Sequence, residues 1–313
     1  MTHSTGNAFT IGFIGFGEAA RAFRQSLAAA DPALAFIAYD IKLNNAGDAE
    51  MRAAMHEHHV VVAETIEGLS PANWIFSAVT ADQSLVAVEP LLPFLHSGQL
   101  LIDINSVSPA RKQLTDKRVA ATGAKYADMA VMTPVHPKGH ASPVLLAGEP
   151  VEAMRGELNR LGFDFEVSGA NPGAATAIKM VRSLFVKGLE AITVETLLAA
   201  EASGCRDQIL ATLAAGYPGL GWPGIVDYHL ERTLTHGLRR AAEMDECAAT
   251  LNDLGLRGEL ATAIAVVQRD QGEVGLAGTR FDSMDETLPR NLSDRLDASA
   301  GNHRPSKEDK PPG

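Results

Sequence analysis

Between an apolar β-type run at 10–14 and a stretch whose Ala20, Phe23 and Leu27 recur at helical spacing lies the loop Gly15-Phe16-Gly17-Glu18-Ala19-Ala20. Few folds accept that order. The first glycine permits a tight turn, the second lets the backbone approach a bound group, and Ala20 keeps the helix close to the strand. The helix N-terminus then presents its positive end to phosphates. A second apolar run, 35–39, is closed by Asp40, about 20 residues beyond the loop. Strand, glycine loop, helix, strand and acid in this order predict a doubly wound α/β sheet of the Rossmann type that binds a dinucleotide through Gly15, Phe16, Gly17, Glu18 and Ala19.

Further β-branched and aromatic runs at 60–63, 74–79, 100–104, 126–131 and 144–147 alternate with amphipathic stretches, as parallel strands joined by crossover helices require. After Ser168 the strand pattern stops. Pro172 opens a stretch to Ala202 with apolar residues at helical spacing and no further proline, about 45 Å long at 1.5 Å per residue. More helical stretches follow at 208–214, 225–254 and 257–269. The expected organisation is a dinucleotide-binding domain over 1–168 and an all-α domain over 169–284, joined by that long helix. From 285 to 313 the chain turns polar and poor in large apolar residues, which predicts a disordered tail.

Bulk properties exclude several classes of function. A net charge of -11 opposes a phosphate backbone, so no nucleic-acid partner is expected. No apolar run approaches the roughly 20 residues of a membrane span, and the N-terminus lacks a signal-peptide pattern. Cys205 and Cys247 lack C-x-x-C spacing and read as thiols of a reducing compartment, the cytoplasm. His136 and His140 have metal-like spacing, but Pro137 and Gly139 oppose the helix that would align them, and no metal is expected.

The acceptor oxygens of Asp40 suit the adenosine ribose hydroxyls, and its charge opposes a 2′-phosphate. NAD is the expected cofactor, with NADP open because Lys42 lies two residues on. Val79 and Thr80 after the fourth strand, and Asn105 and Ser106 after the fifth, stand where open sheets bind ligands, at the carboxyl ends of their strands.

From about Ile11 to Leu254 the order of motifs resembles the β-hydroxyacid dehydrogenase family, which includes 3-hydroxyisobutyrate dehydrogenases and is related to 6-phosphogluconate dehydrogenases. The parts that carry the resemblance are the glycine loop, Asp103-Ile104-Asn105-Ser106-Val107-Ser108-Pro109, the segment from Asp128 to Gly148, and the start of the long helix with Lys179. The family's Gly-x-Gly-x-x-x-Lys-x-x-Asn-Asn signature falls on 171–183, with Lys179 matched and the asparagines replaced by Arg182 and Ser183. Its substrate loop, Asp-x-Pro-Val-Ser-Gly-Gly, falls on Asp128 to Pro134, where Met132, Thr133 and Pro134 replace the serine and glycines. Thr133 keeps a hydroxyl and an N–H, whereas Pro134 has no N–H to give.

The resemblance implies hydride exchange between a nicotinamide and the CH–OH or C=O carbon of a 3-hydroxy acid or related alcohol. Lys179, in apolar surroundings that lower a lysine pKa, would be the general acid/base. Thr133, Arg182 and Ser183 would contact the small-molecule substrate, and the long apolar helix suits a homodimer. Lys187 and Glu190 continue the Lys179 face and read as salt-bridged or solvated. Where the family places a Lys-Asp pair, Glu243 replaces the aspartate, and Arg239, Arg240 and His236 remain open as the cation. An imine reductase, a decarboxylating sugar-acid phosphate dehydrogenase and a non-catalytic dinucleotide-binding protein stay as alternatives.

Overall fold

The computed structural model describes residues 9–302. The chain forms two compact units, one of the residues up to Arg182 with Ala249–Arg257, the other of Ser183–Ala248 and the residues from Gly258 on. The division falls inside the long helix, later than the boundary at 168 read from the sequence.

In the first unit the chain alternates as expected: β1 (Thr10–Ile14), α1 (Glu18–Ala30), β2 (Ala35–Tyr39), α2 (Asp48–Glu57), β3 (Val61–Val62), β4 (Trp74–Ser77), α3 (Ser84–Val88), β5 (Leu100–Asp103), α4 (Pro109–Ala120), β6 (Lys125–Val131), β7 (Val144–Ala147), α5 (Val151–Leu161) and β8 (Phe165–Gly169). The sheet order is β3-β2-β1-β4-β5-β6-β7-β8, parallel except between β6 and β7. Apolar side chains fill both faces, as a doubly wound sheet demands. Phe13, Phe23, Phe36, Phe76 and Leu158 pack on one side, and Leu69, Ile75, Leu91, Leu101 and Val119 on the other.

β8 is a strand that the sequence reading left out. It pairs with β7 at the sheet edge, and its Glu166 and Val167 are exposed. An edge strand with one covered face carries a weaker apolar signal than a central one.

α6 (Ala174–Ala202) continues the chain into the second unit, followed there by α7 (Arg206–Gly216), α8 (Gly224–Asp253), α9 (Glu259–Leu276) and α10 (Met284–Asn302). Among its described residues the second unit has helices joined by short turns and no strand. Its core joins Val194, Leu197 and Leu198 of α6 to Val226 and Leu230 of α8 and Leu288 of α10. Residues 284–302 are therefore helical, correcting the disordered tail expected from 285. Leu288 supplies a fully buried anchor, and Thr287 and Asn291 are buried beside it. The rest of that expected tail, 303–313, lies outside the described residues. No helix among the described residues is long and apolar enough to cross a membrane.

Candidate active site

The turn from β1 to α1 admits only glycine at its first position. Gly15 has φ +82°, and a Cβ there would lie 2.5 Å from the Ala78 carbonyl oxygen and 2.8 Å from Val79 Cγ1. Its N–H donates to Tyr39 O across the sheet. Gly17 is the N-cap of α1 with no side-chain cap bond, and a Cβ on it would meet nothing within 4 Å. This leaves open space in front of the first turn, where an anion is stabilised by the helix end. The loop therefore fits a dinucleotide pyrophosphate. Phe16 is buried, Ala19 half-buried and Glu18 exposed.

Asp40 lies beside this loop. Its Oδ2 accepts from Phe16 N at 2.8 Å and its Oδ1 from Lys42 N at 3.0 Å. Each oxygen of a carboxylate has a second lone pair, so the group can tie the loop to β2 and still receive a ribose hydroxyl.

Asn105 knits together the carboxyl ends of two neighbouring strands. Its Nδ2 donates to Ser77 Oγ at 2.9 Å, its Oδ1 accepts from Val79 N at 2.7 Å, and its own N–H donates to Asp103 Oδ1 at 2.9 Å. The side chain is buried, and it ties the end of β5 to the backbone of Val79, whose side chain lies beside Gly15. Thr80 is exposed at the start of the following turn.

Ser106, the next residue, is half-buried, and its hydroxyl accepts from Lys179 Nζ at 2.7 Å. The lysine expected to carry proton transfer thus meets the residue expected at the end of the fifth strand. Both belong to the first unit.

At the start of α6, the helix that carries Lys179, lies a buried cluster that sequence reading missed. Lys112 of α4 is fully buried, with Nζ 2.7 Å from Asp103 O, 3.0 Å from Asp103 Oδ1 and 3.4 Å from Asp128 Oδ1. Tyr126 donates its hydroxyl to Asp103 Oδ2 at 2.9 Å. Asp128 Oδ2 accepts from Gly173 N and Thr176 N, each at 3.0 Å, at the start of α6. Burial pushes the Asp128 carboxyl above its ordinary range, with Lys112 and the Thr176 N–H pulling it back. A signal for Lys112 existed: Thr115 and Val119 share its helical face, and both are buried. Lysine is so rarely interior that the face reads as solvated.

In the segment that aligns with the family's substrate loop, Met132 is half-buried and Thr133 and Pro134 are exposed. Arg182 is exposed and donates to Met132 O at 3.3 Å. Ser183 belongs to the second unit and is buried, accepting from Lys187 Nζ at 3.2 Å. Lys187, which reads as salt-bridged or solvated in the sequence, pairs with Glu243 at 2.7 Å. Arg239 also reaches Glu243, whereas Arg240 pairs with the buried Glu190. His140 is buried, with Nδ1 2.8 Å from Ser26 Oγ and Nε2 2.7 Å from Leu161 O, and so has a structural role in the first unit.

Residues 10–155 match the family described as the NAD binding domain of 6-phosphogluconate dehydrogenase, and residues 200–271 match a domain of unknown function, DUF1932. A curated protein of Methanothermus fervidus, an uncharacterized 28.5 kDa protein in the 7S RNA 5' region, is 28% identical over 139 residues. That match covers 44% of this chain and 52% of the other, so the chain spans about half the length of the curated relative it matches. A conserved hypothetical protein of Sinorhizobium meliloti 1021 has a solved structure 31% identical to this chain, with a TM-score of 0.70 over 92% of this chain and 97% of that one. Another conserved protein of unknown function, described as structurally similar to 3-hydroxyacid dehydrogenases, is 26% identical over 85% and 99% of the two chains, with a TM-score of 0.62. At 16% identity, the 3-hydroxyisobutyrate dehydrogenase of Mycobacterium tuberculosis, solved with L-serine, shares the fold, with a TM-score of 0.67 over 90% and 98%.

Proposed function

The chain belongs to the β-hydroxyacid dehydrogenase family, and we propose that it exchanges a hydride between a nicotinamide and the CH–OH or C=O carbon of a 3-hydroxy acid or related alcohol, with Lys179 as general acid/base. It is an NAD(P)-dependent dehydrogenase or reductase, taking NAD or NADP. The bound nicotinamide supplies or accepts the hydride. The protein's own contribution is to orient the substrate and move its proton: Lys179 Nζ takes the proton of the substrate hydroxyl on oxidation and returns it on reduction.

The observation that carries this reading is the 2.7 Å bond from Lys179 Nζ to Ser106 Oγ. It fixes the amine at the carboxyl end of β5, on the sheet edge that also bears Gly15 and Val79. Thr133 and Arg182 are proposed to hold the substrate carboxylate. Arg182 leans on the Met132 carbonyl, and its planar guanidinium suits a bidentate partner. Ser183, one turn beyond Lys179 on α6, is proposed as a further substrate contact.

Asp40 supports a preference for NAD, since a 2′-phosphate beside a carboxylate already seated on the loop meets like charge. A homodimer is supported by the apolar side chains that α6 leaves exposed, Ile178, Val181, Phe185 and Ile192. Cys205 and Cys247 are thiols, consistent with a cytoplasmic protein, and the net charge of -11 disfavours a nucleic-acid partner.

The test is a panel of 3-hydroxy acids, 3-hydroxy amino acids and cyclic imines assayed with NAD(H) and NADP(H), on wild type and Lys179→Ala. Turnover of a hydroxy acid is expected, with the variant slower by about 10²- to 10⁴-fold and NADH binding by fluorescence unchanged. Turnover of imines alone, or near-normal activity of Lys179→Ala, would sink the proposal.

A further inference from the structure

Asp128 aligns with the first residue of the family's substrate loop, yet it lies fully buried among protein groups, away from the loop's exposed Thr133 and Pro134. Its Oδ2 accepts two backbone N–H groups, from Gly173 and Thr176. Such N–H groups have no partner within the helix, and an acceptor supplied from elsewhere in the fold fixes the helix end in place. Here the acceptor comes from β6, so the bond is also a tether between sheet and helix.

Two further contacts join the same turn to the loop that carries Ser106. Thr176 Oγ1 donates to Val107 O at 3.1 Å. Gly173, at φ +95°, packs so closely that a Cβ would stand 3.0 Å from Pro109 O. Lys179 follows Thr176 by three residues and so lies one turn along on the same helix side.

We propose that Asp128 is a positioning residue: by accepting both N–H groups it seats the first turn of α6 on β6 and aims Lys179 at Ser106, and it does so as an acceptor oxygen rather than as a negative charge. The charge count supports the second clause. The cluster holds one cation, Lys112, for two carboxylates, and Lys112 lies nearer to Asp103, at 3.0 Å, than to Asp128, at 3.4 Å. A neutral amide at position 128 leaves Lys112 and Asp103 balanced and keeps an oxygen for Gly173 and Thr176. The direction in which burial moves the Asp128 carboxyl, towards the neutral form, agrees with this.

The inference takes the role of Lys179 from the proposed function, and its test uses readouts that need no turnover. Hydrogen exchange of peptides covering residues 173–178 reports the tether, and competitive reductive methylation reports the accessibility of Lys179 against exposed Lys138. Asp128→Ala is expected to speed exchange in that turn by about tenfold or more, with Lys179 methylated as fast as Lys138. Asp128→Asn is expected to stay within about twofold of wild type in both measurements. An alanine variant that leaves both unchanged, or an asparagine variant that loosens the turn, overturns the proposal. Should Asp128→Ala fail to fold, the asparagine variant decides alone: wild-type protection supports the acceptor role and lost protection overturns it. If Lys179→Ala keeps full turnover while Asp128→Ala frees the turn, the lysine chemistry fails and the tether stands.

Discussion

Asp40 illustrates how one carboxylate serves two partners. Its oxygens hold the N–H groups of Phe16 and Lys42, which seat the glycine loop, and the second lone pairs remain for a ribose. Asp40→Ala is therefore expected both to weaken binding of either cofactor and to narrow the preference for NAD over NADP, by about tenfold, or 1.4 kcal/mol, in the ratio of kcat/KM values. Steady-state kinetics with the two cofactors measure it, and an unchanged ratio would assign ribose reading to another residue. The ribose role proposed for Asp40 rests on its position after the second strand, whereas its hold on Phe16 appears only once the loop is folded. Lys112 shows the same limit more sharply. A lysine on a polar helix reads as solvated, and only the fold brings Asp103 and Asp128 to it.

At the scale of elements, apolar periodicity marks what is buried against an extended face and misses what is buried at a few points. The central strands and the long helix have continuous patterns, and the sequence outlines them to within two residues at each end. β8 is half-covered at the sheet edge, and α10 is a polar helix held by Leu288, Thr287 and Asn291. Because Leu288 is fully buried among Val194, Leu197, Leu198, Val226 and Leu230, Leu288→Ala is expected to destabilise the protein by about 2–5 kcal/mol. Urea unfolding measures this, and a neutral substitution would return the segment to the disordered tail that its composition suggests.

For the whole molecule, acid stability should depend on histidines buried separately in the two units. Burial lowers the pKa of His140 in the first unit and of His229 in the second below the ordinary 6.5. A depressed folded pKa means that the unfolded chain takes up the proton first. The neutral histidines therefore contribute their stability above about pH 6.5, and that contribution is lost as the pH falls towards the folded values. Tm is expected to decline below pH 6.5, and the double variant His140→Gln, His229→Gln to decline less steeply; identical slopes would exclude the pair as the cause.

Taken alone, the amino-acid sequence determined the doubly wound sheet, the glycine loop with Asp40 after the second strand, and the helical second half, while Lys179 was singled out through the resemblance to the family. These are local properties: glycine conformation, strand and helix periods, and spacing from a motif are all set by residues close together in the chain. Only the tertiary structure decided that Lys179 meets Ser106, 73 residues away, and that Asp128, 45 and 48 residues from Gly173 and Thr176, holds the helix that carries it. Contacts of that kind depend on which strands lie side by side and which polar groups burial forces to pair, and neither leaves a period in the sequence.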